Sequence, residues 1–438
     1  MIRASQRLHK RRRARIFTPM AAALTALADG SATSPLGFVA AASAAGLKTN
    51  AALDVGLLVS TGTCATAGVF TRNLVKAAPV LYDQELVSER PGRMRAVAVN
   101  ARIANACTGA DGLAAARAMA QAAERVADLP PRSALVLSTG VIGMALPVDR
   151  VTAGLREAAA RLSTAGGADL ARAMMTTDTR PKHCAERFVT AGGAVTVGGV
   201  AKGAGMIHPD MGTLLAVLTT DAIATPSTLA PLLRRVADRT FNAISVDGDT
   251  STNDTVLLLA NGASGVDPAR DASTWTLFEE AVLAVARHLA LLIVQDGEGA
   301  TRVVEIRVSG APTEAAAREV GRAIARSPLV KTAVHGGDPN WGRILAAAGS
   351  AGVSLAPDRL SLAVAAAPDA FASPAPASWV KLAEGGQTAH PDRAVARAAF
   401  TAPSIRLQLD LGIGGGEAVV WTCDLSADYV RINADYTS

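Results

Sequence analysis

The chain has 438 residues; half are hydrophobic, only 3% aromatic and 18% charged, with a formal net charge of +5. This length suffices for one large domain or two ordinary ones, and the composition excludes long disordered stretches. Lys10, Arg11, Arg12, Arg13 and Arg15 carry as many charges as the whole net excess, so the remainder is near neutral and a nucleic-acid function is set aside.

Residues 1–28 read as a basic N-terminal extension. The stretch Met20-Ala21-Ala22-Ala23-Leu24 resembles a weak signal peptide and Arg12-Arg13 a twin-arginine signal, yet the apolar core is short and Asp29 interrupts it. An upstream extension with Met20 as the working start accounts for it equally. No later segment offers about 18 uninterrupted apolar residues, so no membrane span is expected.

From 52 to 79 the pattern reads as strand, turn at Ser60-Thr61-Gly62-Thr63, strand and helix start. A buried strand follows at 95–100, a polar loop at 104–109 and an alanine-rich helix at 113–127 that ends at Pro130-Pro131. A strand at 133–137 runs into the glycine-punctuated turn Ser138-Thr139-Gly140-Val141-Ile142-Gly143, and a helix is expected from Pro147 to Leu170. Valine and glycine alternate over 194–206, and 214–218 is an apolar strand core. Then come a helix at 226–242, a strand at 256–259, a long helix at 275–292, a strand at 303–308 and a helix at 315–325. Residues 368–378 read as a surface loop. Strands close the chain at 405–411, where apolar and polar residues alternate, and at 418–424. This order suggests a layered α/β architecture with sheet between helices.

The segment Lys202-Gly203-Ala204-Gly205-Met206-Ile207-His208-Pro209-Asp210-Met211-Gly212-Thr213-Leu214-Leu215 is the most informative. Four companions accompany it: Met175-Thr176-Thr177-Asp178-Thr179, the run Asp247-Gly248-Asp249-Thr250-Ser251-Thr252-Asn253-Asp254-Thr255, Gly337-Asp338-Pro339-Asn340-Trp341-Gly342-Arg343, and the ending Ile432-Asn433-Ala434-Asp435-Tyr436-Thr437-Ser438. Together they resemble the ornithine acetyltransferase family, over the chain from about Gly37 to the end. Lys202 lies eleven residues before Thr213, as in that family's self-cleavage motif.

The resemblance implies an α-β-β-α sandwich of the self-processing threonine-nucleophile type, cut between Gly212 and Thr213 into an alpha chain, 29–212, and a beta chain, 213–438, in an assembly of two alpha and two beta chains. It implies a glutamate N-acetyltransferase in the cytoplasm. Acetyl passes from N-acetylornithine to glutamate through acetyl-Thr213, in arginine biosynthesis and without a cofactor; some members also use acetyl-CoA, which the motifs leave open. It places Thr139 and Gly140 in the oxyanion hole, and Thr176 or Thr177, Lys202, Glu298, Asn433 and Ser438 against the substrate. The chemistry is coherent on its own terms. A threonine hydroxyl needs a base, and cleavage would free an α-amine of pKa roughly 7.7–8.0 to act as one. Taken singly, Thr213 could begin a buried strand, Lys202 could sit in a surface loop, and Thr139-Gly140 or Glu298 could be ordinary turns; the companion motifs reverse those odds.

Other chemistries are weaker. Gly203-Ala204-Gly205 lacks the order of a phosphate-binding loop. Asp247, Asp249 and Asp254 lack the rest of a calcium loop and read as turn formers, so no metal is expected. His208 and His335 read as structural. The cysteines Cys64, Cys107, Cys184 and Cys423 form no CxxC pair and read as small buried hydrophobes. Two departures from the resembled pattern stand out: Arg102-Ile103, where a Gly-Asn pair is usual, and Ser438, where threonine is commoner. They keep open a same-mechanism acetyltransferase of a specialised-metabolite pathway. A self-processing aminopeptidase or amidase, or an uncut binding protein, are the more distant readings.

Overall fold

A computed structural model describes residues 24–49, 51–208, 214–367, 369 and 378–435. Gly212, Thr213 and Ser438, the basic start 1–23 and most of the expected loop at 368–378 therefore lie outside the described residues. In chain order the first half forms β1 (Thr25–Ala26), β2 (Phe38–Ser43), β3 (Val55–Phe70), α1 (Ala78–Glu89), β4 (Met94–Asn100), α2 (Gly109–Val126), β5 (Ala134–Ser138), α3 (Val148–Ala159), α4 (Gly167–Met174), β6 (Lys182–Thr190) and β7 (Gly193–Lys202). The second half forms β8 (Leu215–Thr220), α5 (Pro226–Arg239), β9 (Ile244–Ser245), β10 (Thr255–Ala260), α6 (Ala272–Gln295), β11 (Val303–Ala311), α7 (Glu314–Ala325), α8 (Pro328–Gly336), α9 (Trp341–Gly349), β12 (Ser361–Ala367), β13 (Val380–Glu384), β14 (Gln387–Thr388), α10 (Arg393–Phe400), β15 (Ser404–Asp410), β16 (Gly416–Cys423) and α11 (Ala427–Asp435).

One sheet runs β1-β6-β7-β8-β10-β3-β4-β5, with β2 also on β3; the other runs β14-β13-β12-β15-β11-β16-β9. At the centre of the first sheet, β8 and β10 are parallel and buried throughout. Their apolar runs, Leu215–Thr220 and Thr255–Ala260, serve two cores at once. Leu215, Val217, Leu257 and Leu259 join the core of α1–α4, which includes Leu57, Met119, Leu155 and Leu170. Ala216, Leu218, Val256 and Leu258 join the core of α5 and α6, with Leu232, Phe278, Val285 and Leu289. Each fully buried leucine contributes about 1.5–3 kcal/mol. A third core holds Ile306, Val308, Leu407 and Leu409 of the second sheet against Val320, Ile324 and Ile344. Helix α6 touches strands of both sheets. The chain thus has the layered α/β sandwich architecture expected from its sequence.

Strand β5 ends the first sheet, and its outer edge is covered by side chains. Glu124 accepts the Ser133 and Ala134 N–H groups at 2.8 and 3.1 Å, and Asp83 accepts that of Val136 at 3.0 Å. Edge donors satisfied within the chain cannot recruit a foreign strand.

Two expectations are corrected. The 60–63 turn is absent: β3 passes through it, with a register irregularity between Val59 and Cys64. Arg95 donates to the Ser60 and Thr61 carbonyls at 3.0 Å each, which holds this stretch extended. The helix expected over 147–170 is two, α3 and α4. Ser163 exchanges backbone hydrogen bonds with Ala40 of β2, at 2.9 and 3.0 Å, and Gly166 packs where a Cβ would lie 1.8 Å from the Ala40 carbonyl oxygen. Cys64 and Cys423 are buried as expected, but Cys184 is only half-buried and Cys107 is exposed. Cys107 lies on the loop between β4 and α2, where Arg102, Asn105 and Cys107 all have positive φ, and the turn that buries Asn105 and Ala106 leaves Cys107 at the surface. No helix among the described residues is long and apolar enough to cross a membrane.

Candidate active site

The site forms where β7 ends and β8 begins. Lys202 and Leu215 pair across the two strands, so the chain between them leaves and re-enters the sheet at one place. Lys202 is buried there. The outgoing segment holds Glu298: the Glu298 N–H donates to the Ala204 carbonyl at 3.0 Å, and a Cβ on Gly205 would lie 2.4 Å from the Glu298 carboxylate. Only glycine permits that approach. Asn433, on the terminal helix α11, donates to Glu298 Oε2 at 2.7 Å. Lys202, Glu298 and Asn433, separated by up to 231 positions, are thereby brought together.

Thr176 and Thr177 reach the same place through Asp178. One Asp178 oxygen accepts the Gly203 N–H at 2.7 Å, just after Lys202, and the other accepts the Thr176 N–H at 3.0 Å. Lys182 is fully buried between two carboxylates, 2.6 Å from Asp178 and 2.5 Å from Asp296. Asp296 in turn accepts the Thr179 N–H at 3.0 Å and the Thr179 hydroxyl. Burial alone would push the Asp178 carboxyl up, but the charges of Lys202 and Lys182, with hydrogen bonds from Lys182 and the Thr176 N–H, hold it at about 2. Sequence reasoning missed Lys182 and Asp296. Asp178 lay inside a quoted motif but was given no role, and nothing in the spacing of Asp296 pointed to it.

The turn after β5 carries Thr139 and Gly140. Gly140 has φ +131°, and a Cβ there would lie 2.0 Å from the Arg102 carbonyl carbon. The Val141 N–H donates to the Arg102 carbonyl at 2.9 Å, so the turn is clamped to the loop after β4. Ser138 donates to Asn100 Oδ1 at 2.6 Å and Asn100 donates to the Ile103 carbonyl at 2.9 Å. Asn253 donates to the Ala104 and Ser138 carbonyls at 2.7 and 2.8 Å. Arg102 itself has φ +75°. An arginine in this region is strained by about 1 kcal/mol or more, which fits its place where the resembled pattern has glycine.

The 247–255 segment closes the site from the other side. Asp247 accepts the Met206, Ile207 and Asp249 N–H groups at 2.5, 2.8 and 3.2 Å and the Tyr429 hydroxyl at 3.3 Å. It holds the outgoing segment in its turn, as its residue type suggested. Asp254, buried, accepts the Leu214 N–H and the Ser251 hydroxyl. Burial drives its carboxyl well above the ordinary range, against the opposing effect of Lys202 and those bonds. Its Oδ2 has no partner among the described residues. Reading it as a turn former missed this position.

His208 is structural. It accepts from Arg322 at Nε2, 2.9 Å away, so its Nδ1–H faces Ser245 Oγ at 3.0 Å. Burial, then Arg322 and Arg326, push it down to about 3, which keeps the ring neutral. His335 lies outside this cluster, 2.7 Å from Asp424. The Gly337–Arg343 motif joins α8 to α9, and Asn340 caps α9 by accepting the Arg343 N–H at 3.2 Å. No group of three or more His, Cys, Asp or Glu side chains among the described residues could hold a metal.

The chain matches the family model described as the ArgJ family over residues 39–438. The arginine biosynthesis bifunctional protein ArgJ of Symbiobacterium thermophilum is 46% identical over 413 residues, covering 93% of this chain and 98% of that protein. That of Thermotoga neapolitana is 45% identical over 385 residues, 87% of this chain and 94% of its own. Among solved structures, the ornithine acetyltransferase of Mycobacterium tuberculosis in complex with ornithine is 42% identical, covering 44% of this chain and 99% of that one, with a TM-score of 0.40. On the family match and these identities, the chain belongs to the ArgJ family.

Proposed function

We propose that this protein is the acetyltransferase its family membership indicates, moving acetyl from N-acetylornithine to glutamate in arginine biosynthesis. The observation that carries the reading is the joining of Lys202, Glu298 and Asn433 with the Thr176–Thr177 loop around the segment that leads to Thr213. The chain cuts itself between Gly212 and Thr213, and 29–212 and 213–438 stay packed as alpha and beta chains of a two-alpha, two-beta cytoplasmic enzyme.

Thr213 then attacks the acetyl carbonyl, with its own α-amine as base. The tetrahedral oxygen becomes negative at the Thr139–Gly140 turn, where each well-aimed donor is worth about 3–4 kcal/mol. Glu298 meets the cationic side of ornithine, and Asn433, the threonine hydroxyls and Ser438 supply neutral bonds. Ornithine leaves, glutamate enters and takes the acetyl group. Purified protein given N-acetylornithine is expected to release ornithine at a rate that rises with glutamate and saturates, with N-acetylglutamate formed in equal amount. Ornithine release that ignores glutamate and yields free acetate would make the protein a hydrolase instead. The same assay with acetyl-CoA in place of acetylornithine measures the second donor.

A further inference from the structure

The donor and the acceptor of this transfer differ in charge. N-acetylornithine has one carboxylate and one ammonium and is neutral as a whole, whereas glutamate has two carboxylates and one ammonium and is an anion. The groups named so far do not favour an anion: Glu298 is itself an acid, and Lys202 is shared with Asp178. Thr176 and Thr177 add a second obstacle. They follow α4 after Met175, and the last four carbonyls of a helix have no partner within it and carry partial negative charge. A carboxylate brought to these threonines meets that end of the helix.

Lys48, in the loop between β2 and β3, lies on this helix end. Its ammonium donates to the Ala173 and Arg172 carbonyls of the last turn of α4 at 3.2 and 3.3 Å, and to the Leu53 carbonyl at 2.6 Å. Three bonds use every N–H of an ammonium, which a neutral amine could not supply. The basic side chain of the last turn itself, Arg172, pairs with Asp169 at 2.6 Å instead. The loop is fixed from the other side by Asp54, fully buried, which accepts the Ala45, Leu47 and Lys48 N–H groups at 2.7, 2.6 and 2.9 Å. Burial lowers the Lys48 ammonium below the ordinary lysine value, and Asp54 and Asp178 oppose that effect. Lys202 acts on it as well, so among the described residues Lys48 shares the electrostatic neighbourhood of the site.

We propose that Lys48 is a positioning residue that sets the affinity for the anionic acceptor: it caps α4 and supplies the positive charge that lets a dicarboxylic amino acid approach the Thr176–Thr177 loop. This rests on the transferase reading above. No bond forms or breaks at Lys48, and its effect falls on the half of the reaction that admits glutamate.

The test compares Lys48→Gln, which keeps hydrogen-bond donors without the charge, with Lys48→Arg, which keeps the charge, and Lys48→Met, which keeps neither. In a ping-pong transfer, kcat/KM for each substrate reports its own half-reaction. In the Gln and Met variants kcat/KM for glutamate is expected to fall roughly fivefold, the effect of a cation at a helix C-terminus, with kcat/KM for N-acetylornithine nearly unchanged. The deficit should shrink in high salt, and Lys48→Arg should restore most of it. Equal losses in the two half-reactions, or a loss confined to the urea midpoint, would make Lys48 a structural clamp and overturn the proposal. So would wild-type use of glutamate by Lys48→Gln, or an Arg variant as impaired as the Gln variant. If Lys48→Met does not fold, the Gln and Arg variants still decide. A wild type whose rate ignores glutamate would refute the transferase reading itself, so the two failures are distinguishable.

Discussion

The two sides of the segment from β7 to β8 each bury an aspartate, and the protein treats them oppositely. Asp178, before it, is saturated by Lys182 and the Gly203 and Thr176 amides and stays an anion at about 2. Asp254, after it, holds the Leu214 amide and the Ser251 hydroxyl, keeps one oxygen unpartnered among the described residues and is pushed up by burial. Lys202 acts on both. The difference is one of pairing: a fully bonded anion beside a buried cation stays ionised and fixes loops in place, whereas a buried carboxyl with one oxygen unpartnered among the described residues is held towards its neutral form.

The most direct way to break this comparison is Lys182→Met. It leaves Asp178 and Asp296 buried without their shared cation, a change expected to cost about 3–5 kcal/mol. The urea midpoint should drop accordingly, and KM for acetylornithine should rise because Thr176, Lys202 and Glu298 lose a common anchor. An unchanged midpoint would mean the two carboxylates do not depend on Lys182, and the scaffold side of the comparison would fail.

A smaller effect sharpens it. His208 is held neutral by burial and Arg322, with its folded value lowered to about 3 from the ordinary 6.5. The unfolded chain takes up a proton below about pH 6.5 that the folded chain refuses, so stability falls as pH drops from there towards 3. The full difference is of order 3–5 kcal/mol. His208→Gln should lower stability at pH 7, yet flatten the decline of the unfolding midpoint between pH 6.5 and 4.5. An equal slope in wild type and variant would place the proton uptake elsewhere.

Much of this molecule was legible in its sequence. The 405–411 alternation and the apolar runs of β8 and β10 mark strands because side-chain direction alternates along an extended chain. The ends of elements were less legible, since they are decided by distant partners: Ala40 pairs with Ser163 between α3 and α4, and Arg95 keeps 60–63 extended. The same divide runs through the site. Lys202 and Asn433 could be picked out within motifs along the chain, and Glu298 through the family resemblance those motifs carry. Lys182 and Asp296, 114 positions apart, become a pair only in three dimensions. Asp254 has the residue type of a turn former, and only its burial beside Leu214 sets it apart.

Everything catalytic in this account depends on a cut before Thr213, so the intact mass of the purified protein tests it most directly. The account predicts two fragments divided between Gly212 and Thr213 in the wild type and a single chain in Thr213→Ala, with acetyl transfer lost in the variant. A folded wild-type protein that remains one chain would contradict it.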